Sequence, residues 1–169
     1  MYLRSGPNMK NFFVLTALFF SVVFNSNFVF AQTPAEFVLT GSVPLINTAE
    51  VVPLPESQSL NILEGEFERL VARVNETSNS PRGYRVLVSS ENGSRLKNSA
   101  RPEAFVNYSL SYGGAPAVVL TNFNQEVKRV PSVDGLVTNV SEVRVTVDKQ
   151  PQALVGLYTD TVSISISAD

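Results

Sequence analysis

Three residue types are missing from this sequence of 169 residues: cysteine, histidine and tryptophan. Without cysteine no disulfide can form, so stability has to come from apolar burial and from sheet hydrogen bonds. Without histidine the chain lacks the commonest general base and metal ligand, which excludes a Ser-His-Asp triad and a His-based zinc site. A cysteine nucleophile is equally impossible. The absence of tryptophan weakens the case for a lectin that stacks sugars.

Neither sign of charge is in large excess. The chain has 13 basic and 15 acidic residues and a net charge of −2. The basic residues are spread among acids and turns, so no basic patch of the kind that nucleic acid requires is visible. We therefore expect no nucleic-acid partner.

Carboxylates are the remaining candidates for catalysis. Asp134, Asp148 and Asp160 are the residues from which a calcium site or a glycosidase pair would be built. None lies in a D-x-D-x-D-G run; Asp134 precedes a glycine in a typical turn, and the other two fall at strand ends. We predict a protein that is not an enzyme and holds no metal or cofactor, with a carboxylate-based hydrolase as an alternative.

Four tyrosines have two interpretations. Tyr84, Tyr108, Tyr112 and Tyr158 would suit a ligand groove, but tyrosines of a β-sandwich are more often core residues whose hydroxyl reaches the rim. We predict the core role.

The N-terminal region has the layout of a signal peptide. Arg4 and Lys10 precede an apolar run from Phe12 to Val23, and the small residue Ala31 follows at a suitable cleavage position. The run is shorter than the roughly 20 residues that a membrane-spanning helix needs. We predict removal of residues 1–31, export without a stable membrane span, and a single domain formed by residues 32–169.

The last twelve residues alternate between apolar and polar side chains. Val162, Ile164 and Ile166 point to one side of an extended chain, and the threonine and serines between them point to the other. This period of two predicts a half-buried antiparallel strand over Tyr158–Asp169. Such a strand either packs into its own sheet or offers an edge to a partner.

Similar short segments, separated by Gly, Pro and Asn turn signals, predict seven to nine strands in all. The clearest are Phe37–Val43, Tyr84–Ser89, Phe105–Tyr112, Ala117–Leu120 and Val143–Val147. Leu60–Val74 is ambiguous between one helix and two strands, Leu60–Leu63 and Leu70–Val74, and we favour the two strands. Residues 75–83 are predicted to be a loop and Asn92-Gly93 a type I′ turn. The pattern predicts an all-β fold, an antiparallel immunoglobulin-like β-sandwich.

Three segments resemble a known family. Gly156–Ile166 is similar to the G-x-Y-x-D-T ending and following strand of the spore coat protein U domain, which archaic chaperone–usher pilus subunits share. Leu39–Val43 is similar to a V-T-G-x-V segment near the mature N-terminus of some of these subunits. Ser80–Leu96 resembles their central strand and NG turn.

The resemblance implies a structural subunit of a bacterial surface fibre, a fimbria or pilus of the kind that serves cell adhesion and biofilm formation. Such subunits have an incomplete sandwich that a periplasmic chaperone fills first and the N-terminal donor strand of the next subunit fills later. An outer-membrane usher carries them to the cell surface, and their other partners are copies of themselves or related subunits. The implied donor-strand residues are Phe37, Leu39, Gly41 and Val43. The implied acceptor-groove residues are Tyr158, Val162, Ile164 and Ile166.

This chain departs from the family in one respect, since many members carry a disulfide near the first strand. A second interpretation also remains open. If Phe37–Val43 is the first strand of its own domain, the sandwich is self-complete. The protein would then be a secreted β-sandwich that binds a ligand or a surface polysaccharide.

Overall fold

The computed structural model describes residues 35–169, so the predicted signal peptide lies outside the described part. Residues 35–46 form no regular secondary structure, and all the strands of the described region follow them. The strands are β1 (Asn47–Pro53), β2 (Glu66–Ser78), β3 (Tyr84–Ser90), β4 (Arg95–Asn98), β5 (Phe105–Tyr112), β6 (Gln125–Val130), β7 (Val137–Val147), β8 (Tyr158–Thr159) and β9 (Val162–Ala168). A 3-10 helix, Pro55–Gln58, is the only helical segment of this region. None of residues 35–169 belongs to a helix long and apolar enough to cross a membrane.

The strands form two antiparallel sheets, which confirms the predicted all-β sandwich. One sheet has six strands in the order β1-β2-β7-β5-β4-β8 and is curled into a half-barrel, and the other has the order β6-β3-β9. The run β1-β2-β7-β5 matches the A-B-E-D order of an immunoglobulin-like sandwich, and the pair β3-β9 matches C-F. β6 lies beside β3 where C′ would lie, but it follows β5 in the chain, so it is not the C′ strand of that fold. Strand G of such a sandwich pairs with the far side of F. No strand within residues 35–169 pairs with that side of β9.

The core lies between the two sheets and follows the period-two alternation of the strands. In β3 the inward residues are Tyr84, Val86 and Val88, all of them fully buried. β5 and β7 contribute alternate residues in the same way, because successive side chains of a strand point to opposite faces. Their buried apolar residues are Val106, Tyr108, Leu110, Tyr112, Val143, Val145 and Val147.

Two predictions between residues 60 and 83 are wrong. Leu60–Leu63 forms no strand: a turn begins at Ile62, and the apolar side chains of Leu60 and Ile62 pack against the core. The predicted loop at 75–83 begins too early, because β2 continues through Ser78. β2 is paired on both sides, with β1 and with β7, and this pairing outweighs the polar composition of its last residues.

One turn prediction and one further strand prediction need correction. Gly93 and Ser94 have the positive φ values (66° and 57°), so the left-handed pair is shifted by one residue from Asn92-Gly93. The turn leads from β3 to β4 in the other sheet, so it closes no hairpin. The predicted strand Ala117–Leu120 is reduced to a single bridge between Leu110 and Val118.

The two ends of the domain also differ from the prediction. Phe37–Val43 forms no strand, and the first strand is β1, so this segment is not the first strand of its own domain. The predicted strand over Tyr158–Asp169 is divided at Asp160 and Thr161 into β8 and β9, which belong to different sheets. Within β9 the predicted faces are correct at Ile164, which is half-buried, and at Ser163, which is exposed.

Candidate functional site

An apolar groove lies between β1 and β9. The two strands are neighbours in space but share no ladder. Between them is a cavity of about 360 Å³, with Val51 and Pro53 of β1 on one wall and Val162 and Ile164 of β9 on the other. The floor consists of core residues of the six-stranded sheet. They are Val71, Ala72, Leu96, Tyr108, Leu110, Val143 and Val145.

The groove continues beyond the first residue of β9, toward the segment that precedes this strand. A second cavity, of about 470 Å³, shares Ser57, Leu60, Leu96 and Asp160 with the first. Its wall is the segment Gly156–Asp160. Among the predicted acceptor residues, Val162 and Ile164 thus line the first cavity and Tyr158 lines the second. Ile166 packs against the core and lines neither.

Burial differs sharply between paired residues of β3 and β9. Val88 of β3 is fully buried, but its partner Ile164 of β9 is only half-buried. The same holds for Val86 and its partner Ile166. β3 has a neighbouring strand on both sides whereas β9 has one only, so the apolar side chains of β9 stay partly uncovered on the side of the cavity.

The backbone of β9 is equally uncovered. In an antiparallel sheet, alternate residues of an edge strand direct their N–H and C=O groups away from the single neighbour. β9 contains only valine, serine, isoleucine and alanine, so no charge or proline opposes the addition of a strand. A strand laid along β9 would extend the ladder, and its inward side chains would enter the cavity.

Asp160 holds the point where the chain passes from one sheet to the other. Its Oδ2 accepts hydrogen bonds from the hydroxyls of Tyr108 (2.6 Å) and Ser90 (2.5 Å). Its Oδ1 accepts from the backbone N–H groups of Asn92 (3.0 Å) and Thr161 (2.8 Å). This carboxylate joins the end of β3 and the start of β9 to the middle of β5.

The three aspartates considered as an alternative calcium site are not assembled into one in the described region. Within residues 35–169, no group of three or more acidic side chains is placed to bind a metal ion. Asp134, Asp148 and Asp160 are consequently not gathered into such a group.

Gly156 and Tyr158 of the same motif also have structural roles. Gly156 has a φ of 147°, and a Cβ atom there would lie 2.5 Å from Nδ2 of Asn98. The Tyr158 hydroxyl donates to the carbonyl of Leu154 at 2.9 Å. The G-x-Y-x-D pattern therefore shapes the segment that forms one end of the groove.

A buried glutamate was missed by the sequence analysis. Glu76 of β2 is 0% exposed, and its carboxylate accepts from the hydroxyls of Tyr84 (2.8 Å) and Tyr112 (2.7 Å) and from Nζ of Lys128 (2.8 Å). Lys128 also donates to Ser141 at 2.9 Å. The sequence did contain a signal for this burial. Glu76 follows the apolar Val74 by two residues, and in a strand residues two apart share one face.

The hydrogen bonds of this cluster decide its protonation. Burial raises the pKa of Glu76, but the hydrogen bonds from Lys128, Ser141 and the two tyrosines outweigh it, so the pKa lies below its usual value. Burial and the neighbouring carboxylate raise the pKa of Tyr84 to about 12 and that of Tyr112 still further. The carboxylate is thus charged and the phenols are neutral near pH 7.

The tyrosine prediction is confirmed for three of the four residues. Tyr84, Tyr108 and Tyr112 are buried in the core, and their hydroxyls donate to Glu76 or Asp160. Tyr158 is half-buried and lines the groove.

The predicted donor residues are exposed. Phe37 is 81%, Leu39 85% and Val43 84% exposed, in a segment without secondary structure. A Cβ atom added to Gly41 would meet nothing within 4 Å. Three apolar side chains at alternate positions thus remain uncovered in this chain.

Comparison by sequence does not place the chain in a family, since no family model matches it and no curated protein sequence matches it significantly. Its class rests on the fold and the groove. The described region is an antiparallel β-sandwich with an apolar groove beside an unpaired edge strand.

Proposed function

We propose that this chain is a non-enzymatic structural subunit of a bacterial surface fibre, assembled by donor-strand complementation. The observation that carries the proposal is the unpaired edge of β9 above an apolar cavity, at the position of strand G of an immunoglobulin-like sandwich. The N-terminal signal-peptide pattern supports export through the periplasm to the cell surface.

The segment Phe37–Val43 has the properties that the groove requires. It spans as many residues as β9, which has seven. Phe37, Leu39 and Val43 share one face, and burying each gains about 1.5–3 kcal/mol. Gly41 allows the two backbones to approach closely. The segment of one copy therefore suits the groove of the next.

The resemblance to archaic pilus subunits supports the remaining partners. A periplasmic chaperone supplies a temporary strand, because an open groove exposes apolar surface that favours aggregation. An outer-membrane usher then presents the subunit to the donor segment of the next copy.

Two adjacent substitutions test the donor. Leu39→Asp places a charge in the apolar groove at a cost of several kcal/mol, whereas Thr40→Asp places it on the opposite face. We expect the parent chain and Thr40→Asp to form polymers and Leu39→Asp to remain unassembled, as measured by size-exclusion chromatography and electron microscopy. A parent chain that is a stable monomer with one cooperative thermal transition, as a self-complete sandwich would be, contradicts the proposal.

Gly41→Val separates assembly from folding. Nothing lies within 4 Å of the added Cβ in the free chain, so the circular dichroism spectrum and unfolding midpoint should match those of the parent. Polymer formation should fall strongly, because the side chain prevents close approach in the groove. Unchanged polymer formation would exclude Gly41 from the donor face.

A further inference from the structure

We propose that Asn79 is a latch that prevents a chain from inserting its donor segment into its own groove and so commits that segment to a second copy. The inference deepens the proposed function and rests on it. It concerns the connection Pro44–Ile46, which joins the donor segment to β1.

Asn79 holds this connection by three hydrogen bonds. Its Oδ1 accepts from the backbone N–H of Ile46 at 2.7 Å, and its own backbone N–H donates to the carbonyl of Ile46 at 3.1 Å. Its Nδ2 donates to the carbonyl of Pro44 at 2.8 Å. One side chain and one amide group therefore bind both ends of the connection.

These bonds continue the ladder between β1 and β2. The last paired residues of that ladder are Asn47 and Ser78, and Ile46 and Asn79 are the next residues on either side. Ser78 secures the start of β1 as well, since its hydroxyl donates to Oδ1 of Asn47 at 2.7 Å. The connection is thereby kept alongside the end of β2.

Insertion of the donor segment into the groove of its own chain would require the connection to leave the end of β2. The groove borders β1 on the side away from β2, so Pro44–Ile46 would have to become a hairpin loop that reverses the chain beside β1. A loop of three residues has no slack for this reversal while Ile46 and Pro44 are bound to Asn79. Pro44 stiffens the connection further, because its φ is restricted. A donor segment that enters the groove of a second copy does not have to reverse beside its own β1.

The test uses the full chain exported by a bacterial host. Asn79→Ala removes the two side-chain bonds, and Asn75→Ala is the matched control, since Asn75 bridges β2 to Glu50 of β1 in mid-ladder. We expect Asn79→Ala to raise the ratio of monomer to polymer by about tenfold or more, as loss of two hydrogen bonds allows, and Asn75→Ala to leave it near the parent value. Asn79→Asp keeps the acceptor for the Ile46 N–H but loses the donor to Pro44. Its ratio of monomer to polymer should therefore lie between those of the parent and Asn79→Ala.

Engineered cysteines identify the occupant of the groove, and the absence of natural cysteine keeps the background clean. Leu39→Cys and Ile164→Cys are combined in the parent and in Asn79→Ala. On non-reducing gels, cross-links between chains in the parent and within one chain in Asn79→Ala support the latch. Cross-links between chains in both, with equal monomer fractions, overturn the latch and leave the fibre proposal intact. A monomeric parent without either cross-link overturns the fibre proposal itself.

Discussion

The three-stranded sheet has two edges, β6 and β9, and they are built in opposite ways. β6 carries Glu126, Lys128 and Arg129, and its pairing with β3 is irregular between Val86 and Leu87. β9 carries no charge and pairs with β3 in an unbroken register. Charges and irregular pairing discourage the addition of a further strand. One edge is thus protected, whereas the other is suited to pairing.

The difference extends to the side chains beneath each edge. Lys128 of β6 reaches inward to the fully buried Glu76, and this contact ties the strand to the opposite sheet. Of the inward residues of β9, Val162 and Ile164 line an open cavity, and Ile166 packs against the core. β6 closes its side of the sandwich, whereas β9 leaves apolar side chains partly uncovered.

The largest effect is expected from breaking the inner face of β9. Ile164→Asp should abolish soluble, protease-resistant protein, because burying a charge among the apolar residues of the groove costs several kcal/mol. Ser163→Asp should be mild, since the pleat sends this neighbour to the exposed face. Equal tolerance in a proteolysis assay would show that β9 has no part in the core.

The next-largest effect on stability is expected at the contact between Lys128 and Glu76, which anchors β6 to the opposite sheet. Lys128→Met removes the cationic partner of Glu76, and we expect a loss of about 3 kcal/mol in the free energy of unfolding, because an uncompensated charge remains buried. Arg129→Met is the control on the same strand: Arg129 is exposed and pairs with the exposed Glu126 and the half-buried Asp169, so its loss should cost much less. Urea titration measures both. Similar losses for the two variants would mean that the buried pair does not anchor β6.

A pH titration of the unfolding midpoint probes the same anchor without mutation. The pKa of Glu76 is lowered in the folded state, so its contribution should be present above the ordinary glutamate value and be lost as pH falls below it. The pKa of Tyr84 is raised to about 12, so its contribution should be present below its ordinary value of 10.0 and be lost as pH rises toward 12. Glu76→Gln should flatten the acid limb and Tyr84→Phe the alkaline limb. Unchanged limbs would assign the pH dependence to other groups.

The smallest effect on stability is expected from giving β9 a charge like those of β6. Ser165 is exposed, so Ser165→Lys should change the free energy of unfolding by less than about 0.5 kcal/mol. Polymer growth, followed by light scattering, should nevertheless slow relative to Ser165→Thr, because lysine on an edge opposes pairing. Equal growth of the two variants would show that side-chain charge is not what separates the two edges.

Local alternation predicted the strands with strong patterns and failed where pairing alone sustains a strand. β5 and the inward residues of β3 and β7 follow directly from their period of two. The end of β2 does not, because its polar residues are held in a ladder by β1 and β7 rather than by any preference of their own. The predicted acceptor residues were found at or beside a groove, but the cavities between β1 and β9 could not be derived from a one-dimensional pattern.

The sequence by itself determined which side chains of β3, β5, β7 and β9 face inward, since the pleat has a fixed period and the apolar residues of these strands follow it. It also excluded disulfides and histidine chemistry through composition alone. Only the tertiary structure decided which strands pair, which edge stays open and which groups compensate the charge of Glu76. Those outcomes depend on residues such as Glu76 and Lys128, or Ser90 and Asp160, that are far apart in the chain and meet only when the sheets close.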